Sequence, residues 1–102
     1  MLDSALIKTL IKERSELEPN DPKVYEYWER MTELLSVRIV ETILFFNTCS
    51  EQEVYWLSEI FEDIAYKVNS MEFIQCLKRL DKKYPDLDLS YDTKIAEEFM
   101  EE

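Results

Sequence analysis

Residues 50–68, Ser50-Glu-Gln-Glu-Val-Tyr-Trp-Leu-Ser-Glu-Ile-Phe-Glu-Asp-Ile-Ala-Tyr-Lys-Val68, decide how this chain is read. Ser50 followed three residues later by Glu53 is a capping box, in which the hydroxyl accepts the Glu53 N–H and the carboxylate reaches back to the Ser50 N–H. Plotted at about 100° per residue, Val54, Leu57, Ile60, Phe61, Ile64, Ala65 and Val68 fall on one arc, as a helix with a buried face requires. The opposite arc carries Tyr55, Trp56, Glu59, Glu62, Asp63 and Tyr66. Aromatic surface mixed with uncompensated acid makes this arc the candidate binding face.

Working outward, the segment Val37–Asn47 is apolar almost all round, relieved by Arg38, Glu41 and Thr42. Such a helix is expected at the centre of a bundle, antiparallel to the one that follows after a short connection. A strand is the alternative, but Glu41-Thr42 breaks alternation and no partner strand is evident. Asp21-Pro22 is a cap with proline at the first helical position, and opens a helix whose buried arc is Val24, Tyr27, Trp28, Met31, Leu34 and Leu35. Tyr25, Glu26, Glu29 and Glu33 lie on its other side. Tyr25, Glu29 and Glu33 would extend the acidic aromatic face if the two helices lie side by side. A break is expected at Ser36, although neither proline nor glycine enforces it.

The first helix is expected from Asp3 or Ser4 to Glu18, with Leu6, Ile7, Leu10, Ile11 and Leu17 inward. Asn69 and Glu72 form a second capping box for a helix from Met71 to Lys83 or Tyr84, burying Phe73, Cys76, Leu77, Leu80 and Tyr84. Its outer face gathers Lys78, Arg79, Lys82 and Lys83, mostly in the last turns where cations complement the helix dipole. After Pro85, residues 86–90 are expected to be extended. Ser90 then caps a last helix packing Tyr91, Ile95 and Phe99. The fold class is therefore all-α, a compact bundle of five or six antiparallel helices forming one domain over residues 1–102.

Composition supports that class and removes much chemistry. Glycine is absent, so tight β-hairpins and glycine-built phosphate cradles are both disfavoured. Histidine is also absent, removing the usual general base and zinc ligand. No catalytic residue, metal site or cofactor is expected. Carboxylate catalysis by Glu59, Glu62 and Asp63 would need one buried carboxyl, and these positions read as solvent-facing. Asp86-Leu-Asp-Leu-Ser90 lacks the sharp turn of a calcium loop. Cys49 and Cys76 have no ligand spacing and read as buried free thiols of a reduced, cytoplasmic protein. Neither a signal peptide nor an apolar run near the ~20 residues of a membrane span is present.

The formal charge is −11, and residues 51–102 hold fourteen acidic groups against six basic ones. This balance opposes nucleic acid and anionic membranes and favours a cationic protein partner. The segment Glu53–Leu80, EVYWLSEIFEDIAYKVNSMEFIQCLKRL, followed by Lys83-Tyr84-Pro85, resembles small acidic helical proteins of bacteria. Many of these are immunity partners of polymorphic or contact-dependent toxins. The likeness covers about a third to a half of the chain and contains no catalytic motif. It implies a cytoplasmic protein that binds a cognate toxin domain, often a basic nuclease surface, and covers its active site. The alternative from another class is a helical adaptor or regulator, with hairpins stacked as in solenoids and homodimerisation through the same aromatic face.

Overall fold

Local capping sets most of the helix starts in a computed structural model of the chain, which describes residues 2–99. Helix α1 spans Ser4–Ser15, with the Asp3 carboxylate accepting the Leu6 N–H. Helix α2 spans Lys23–Leu35, where Asp21 accepts the Lys23 N–H. Helix α3 spans Ile39–Thr48, α4 Glu51–Leu57 and α5 Phe61–Val68, the last two joined by a 3₁₀ turn at Ser58–Ile60. Helix α6 spans Met71–Lys83, a second 3₁₀ turn covers Pro85–Leu87, and α7 spans Ser90–Glu98. The described residues contain helices and connections only, so the chain is an all-α bundle.

Both bonds of the expected capping box form: the Glu53 N–H donates to the Ser50 hydroxyl at 3.2 Å and the Ser50 N–H to the Glu53 carboxylate at 2.8 Å. The expected single helix from Ser50 to Val68 does not run straight, however. The Ser58 hydroxyl donates to the Tyr55 carbonyl at 2.6 Å, drawing the backbone into three tighter residues. A 3₁₀ turn advances about 120° per residue instead of about 100°, so the helix is locally overwound there.

The core is built where the arcs predict it. Val54, Leu57, Ile60, Phe61, Ile64 and Ala65 are buried, together with Ile7, Leu10 and Ile11 of α1 and Met31 and Leu35 of α2. Phe46 lies 6.0 Å from Phe61 and 5.7 Å from Phe73, ring centre to ring centre, which ties α3 to α5 and α6. The broader packing of α3 is on α6, while α4 lies against α1 and α2 runs beside α5. The break at Ser36 is real: α2 stops at Leu35, whose carbonyl accepts the Thr42 hydroxyl across the turn at 2.6 Å.

Several expectations are corrected. Helix α3 is not at the centre of the bundle. It buries Thr42, Phe45 and Phe46 and leaves Val40 and Leu44, with the preceding Val37, on the surface. Helix α1 stops at Ser15 instead of Glu18. The cap of α6 is Ser70, which accepts the Phe73 N–H, while Asn69 ends α5 in the left-handed region at φ 46°. Residues 85–87 form a 3₁₀ turn, not an extended strap. Ser90 begins α7 without capping it; its hydroxyl bonds the Asp88 carboxylate instead.

The inward face of α7 also differs. It consists of Leu89, Thr93 and Ala96, with Ile95 half-buried and Tyr91 and Phe99 exposed. Small side chains let α7 approach α5 and α6 closely, and the larger rings are left outside. Cys49 and Cys76 are buried free thiols, and burial pushes the Cys49 thiol up to about 12, so it is a packing group and not a nucleophile. No helix among the described residues is long and apolar enough to cross a membrane.

Candidate functional site

Helix α2 lies beside α5 and the Ser58–Ile60 turn, and the space between them is a groove of about 570 Å³. On the α2 side, Tyr25, Trp28, Glu29 and Thr32 recur at the i, i+3, i+4, i+7 spacing of one helical face. Glu59, Glu62, Asp63, Tyr66 and Lys67 line the other side. A smaller hollow continues past Glu62, Asp63 and Tyr66 to Phe99 of α7. Tyr25 and Tyr66 are 70% and 65% exposed, so both rings offer a face to a partner. Tyr25 stands edge-on to Trp28 at 5.3 Å, which fixes its position on the wall.

The expected face is thereby divided. Tyr25, Glu29, Glu59, Glu62, Asp63 and Tyr66 meet in the groove. Glu33 faces a shallow hollow with Glu26, Glu29 and Arg30. Tyr55 and Trp56, on the α4 side of the Ser58 turn, do not line the groove and pack edge-to-face at 5.0 Å. Tyr55 is about half exposed, whereas Trp56 is half-buried beneath the Arg14 guanidinium, 4.8 Å above its ring.

Glu59 differs from the other acids and is not solvent-facing as expected. One carboxylate oxygen accepts Arg14 Nε at 2.9 Å and Trp28 Nε1 at 3.0 Å. The other accepts an Arg14 terminal nitrogen at 2.7 Å, completing a bidentate pair. Arg14 is 3% exposed. The pair, with Trp28, therefore joins α1, α2 and the 3₁₀ turn, and Glu59 lines the groove with its charge internally matched.

Glu29, Glu62 and Asp63 are exposed, and none of the ion pairs among the described residues involves them. Partial burial raises the Glu62 carboxyl above its ordinary value, aided by the charges of Asp63 and Asp92. Asp63 is raised by partial burial, with Lys67 opposing, and Asp92 is raised by partial burial and by Asp88. All three therefore hold a proton more readily when folded. Their electrostatic penalty is present above the raised values and is relieved as pH falls into the ordinary carboxylate range.

Glu62→Gln should accordingly raise the thermal midpoint at neutral pH by about 2 °C, an advantage that shrinks at about pH 4. Circular dichroism melts at the two pH values check this. An unchanged or lowered midpoint at neutral pH would show that the acids are not under electrostatic strain.

Trp28, Thr32 and Lys67 line the groove beyond the residues the sequence singles out, and Arg14 supports it through Glu59. Arg14 was legible, because it continues the Ile7, Leu10, Ile11 spacing into the core; Trp28 and Thr32 continue the spacing set by Tyr25. Among the described residues no three His, Cys, Asp or Glu side chains are placed to hold a metal ion. In comparisons with protein-family models, curated proteins and solved structures, no match to this chain was found.

Proposed function

We propose that this chain is a non-enzymatic immunity protein, which neutralises a cationic toxin domain by docking the α2–α5 groove against it. The observation that carries this reading is the convergence of exposed Tyr25 and Tyr66 with the unpaired carboxylates Glu29, Glu62 and Asp63. Aromatic rings supply contact area at low entropic cost, and uncompensated acids steer and orient a basic surface. The like charges that Asp63 and Asp92 place beside Glu62, and Asp88 beside Asp92, support the same reading, since a cationic partner would offset them. Affinity capture from the source cells, with the wild-type chain and a Glu62→Lys/Asp63→Lys variant, tests the proposal. A basic protein retained only by the wild type, whose activity the wild-type chain blocks, supports it. Equal retention by both chains counts against it.

A second reading, a self-associating helical adaptor, is favoured by a different surface. Val40 and Leu44, one turn apart on α3, are 68% and 60% exposed, and Val37, just before the helix, is 75% exposed. The helix carries one charged residue, Glu41, which is already bonded to Arg38 and to the Leu2 N–H. Two copies of a chain of charge −11 would repel least across this face. Three side chains are far fewer than the roughly 20–30 residues a side of a standard interface, so the expected dimer is weak. On this reading sedimentation shows a concentration-dependent dimer that Val40→Asp abolishes; a monomer at every concentration removes it.

A further inference from the structure

The groove has a floor as well as a rim. Thr32 is 4% exposed and lines it, yet its hydroxyl has no hydrogen-bond partner. Buried hydroxyls are ordinarily paired, so this one stands ready for a group from outside. The same molecule already shows what such surroundings hold. Arg14 lies over the Trp56 ring at 4.8 Å while giving two hydrogen bonds, at 2.9 and 2.7 Å, to Glu59. The groove repeats those components, with the faces of Tyr25 and Tyr66, the carboxylates of Glu62 and Asp63, and the Thr32 oxygen; its lining holds one cation, the Lys67 ammonium, which forms no ion pair with Asp63, and no guanidinium.

We infer that the groove receives one arginine side chain of the cationic partner, its guanidinium held between the two tyrosines and the two carboxylates and within reach of Thr32. This rests on the reading of the groove as the interaction site, and it names what that site recognises. Arginine fits where lysine does not. A planar guanidinium stacks on aromatic faces and carries five N–H donors, whereas an ammonium is a compact, strongly hydrated point charge. The volume of about 570 Å³ lies within the range of small-molecule sites and leaves room for the aliphatic stem and adjoining backbone.

The test uses three short, otherwise uncharged peptides with blocked ends, identical except for one central arginine, lysine or citrulline. Binding is followed through the Trp28 indole N–H resonance, which reports from the groove wall. The arginine peptide should bind several-fold more tightly than the lysine peptide, and the neutral citrulline peptide should not bind. Glu62→Gln/Asp63→Asn should weaken the arginine peptide about tenfold, and Thr32→Val should weaken it while leaving the lysine peptide unchanged. Glu16→Gln/Glu18→Gln, the same change in net charge at an exposed turn, is the control and should alter affinity less than about twofold.

Equal affinity for arginine and lysine, or equal losses in the groove and control variants, would reduce the site to general attraction and overturn the inference. If the peptides fail while capture of a basic protein still depends on Glu62 and Asp63, the arginine assignment falls and the interaction site stands. Arginine-selective binding with no groove-dependent basic partner would reverse that outcome, upholding the subsite and removing the immunity role.

Discussion

Glu59→Gln should destabilise the fold by about 3 kcal/mol, lowering the thermal midpoint by more than about 10 °C. The size follows from what the substitution strands. Arg14 is 3% exposed, and one of its terminal nitrogens already has no hydrogen-bond partner. Glu59 supplies the opposing charge and accepts from both Arg14 and Trp28. A neutral amide can still accept from the indole, but it leaves a guanidinium in the core without a counter-charge. Arg14→Met should be milder, because a thioether of similar length still covers Trp56 and leaves no buried cation. Adding Arg14→Met to Glu59→Gln should therefore recover stability, a non-additivity that chemical denaturation of the two single variants and the double variant measures. A loss no larger than the ~0.5 kcal/mol of an ordinary surface change would mean that the pair is not a structural clamp.

This clamp also shows where reading the chain as a set of regular helices stops. Local signals act within a few residues, so Ser50 with Glu53, Asp21 with Pro22, and the apolar arcs through Ile60 and Met31 could be read directly. The Ser58 hydroxyl competes for the Tyr55 carbonyl, and nothing in a helical wheel represents that competition. Tyr55 and Trp56 lie before that turn and outside the groove, whereas Asp63 and Tyr66 lie after it and line the groove. Helix α3 misled for a different reason. Apolar content shows that a face wants covering, but Val40 and Leu44 stay exposed because no neighbouring helix of this chain lies over them. In α7 the large rings of Tyr91 and Phe99 suggested burial, while the close approach of α5 and α6 selected Thr93 and Ala96. Which helices become neighbours is a property of the whole packing. The meeting of Tyr25 with Tyr66 thus depended on a condition, α2 lying beside α5, that the wheel of neither helix contains.

Reversing the two unpaired acids of the groove, Glu62→Lys with Asp63→Lys, should weaken binding of the captured basic partner on the order of 100-fold at low salt. These two are the appropriate pair because neither forms an ion pair among the described residues; reversing Glu59 would break the Arg14 clamp and say nothing about the interface. Steered association slows steeply as ionic strength rises, since the Debye length falls to about 8 Å at physiological salt. The wild-type association rate should therefore drop with added salt, and the variant's should be much flatter. Glu16→Lys with Glu18→Lys changes the net charge equally but at an exposed turn, and should leave most of the affinity intact. Truncation separates contact from steering: Tyr66→Ala should cost about 2 kcal/mol or more with little change in the salt dependence, whereas Tyr55→Ala, outside the groove, should cost much less. Stopped-flow and equilibrium binding over a salt series distinguish these effects. If the groove and control reversals behave alike, the partner is responding to the charge of the whole chain, and the α2–α5 groove has no special part in recognising it.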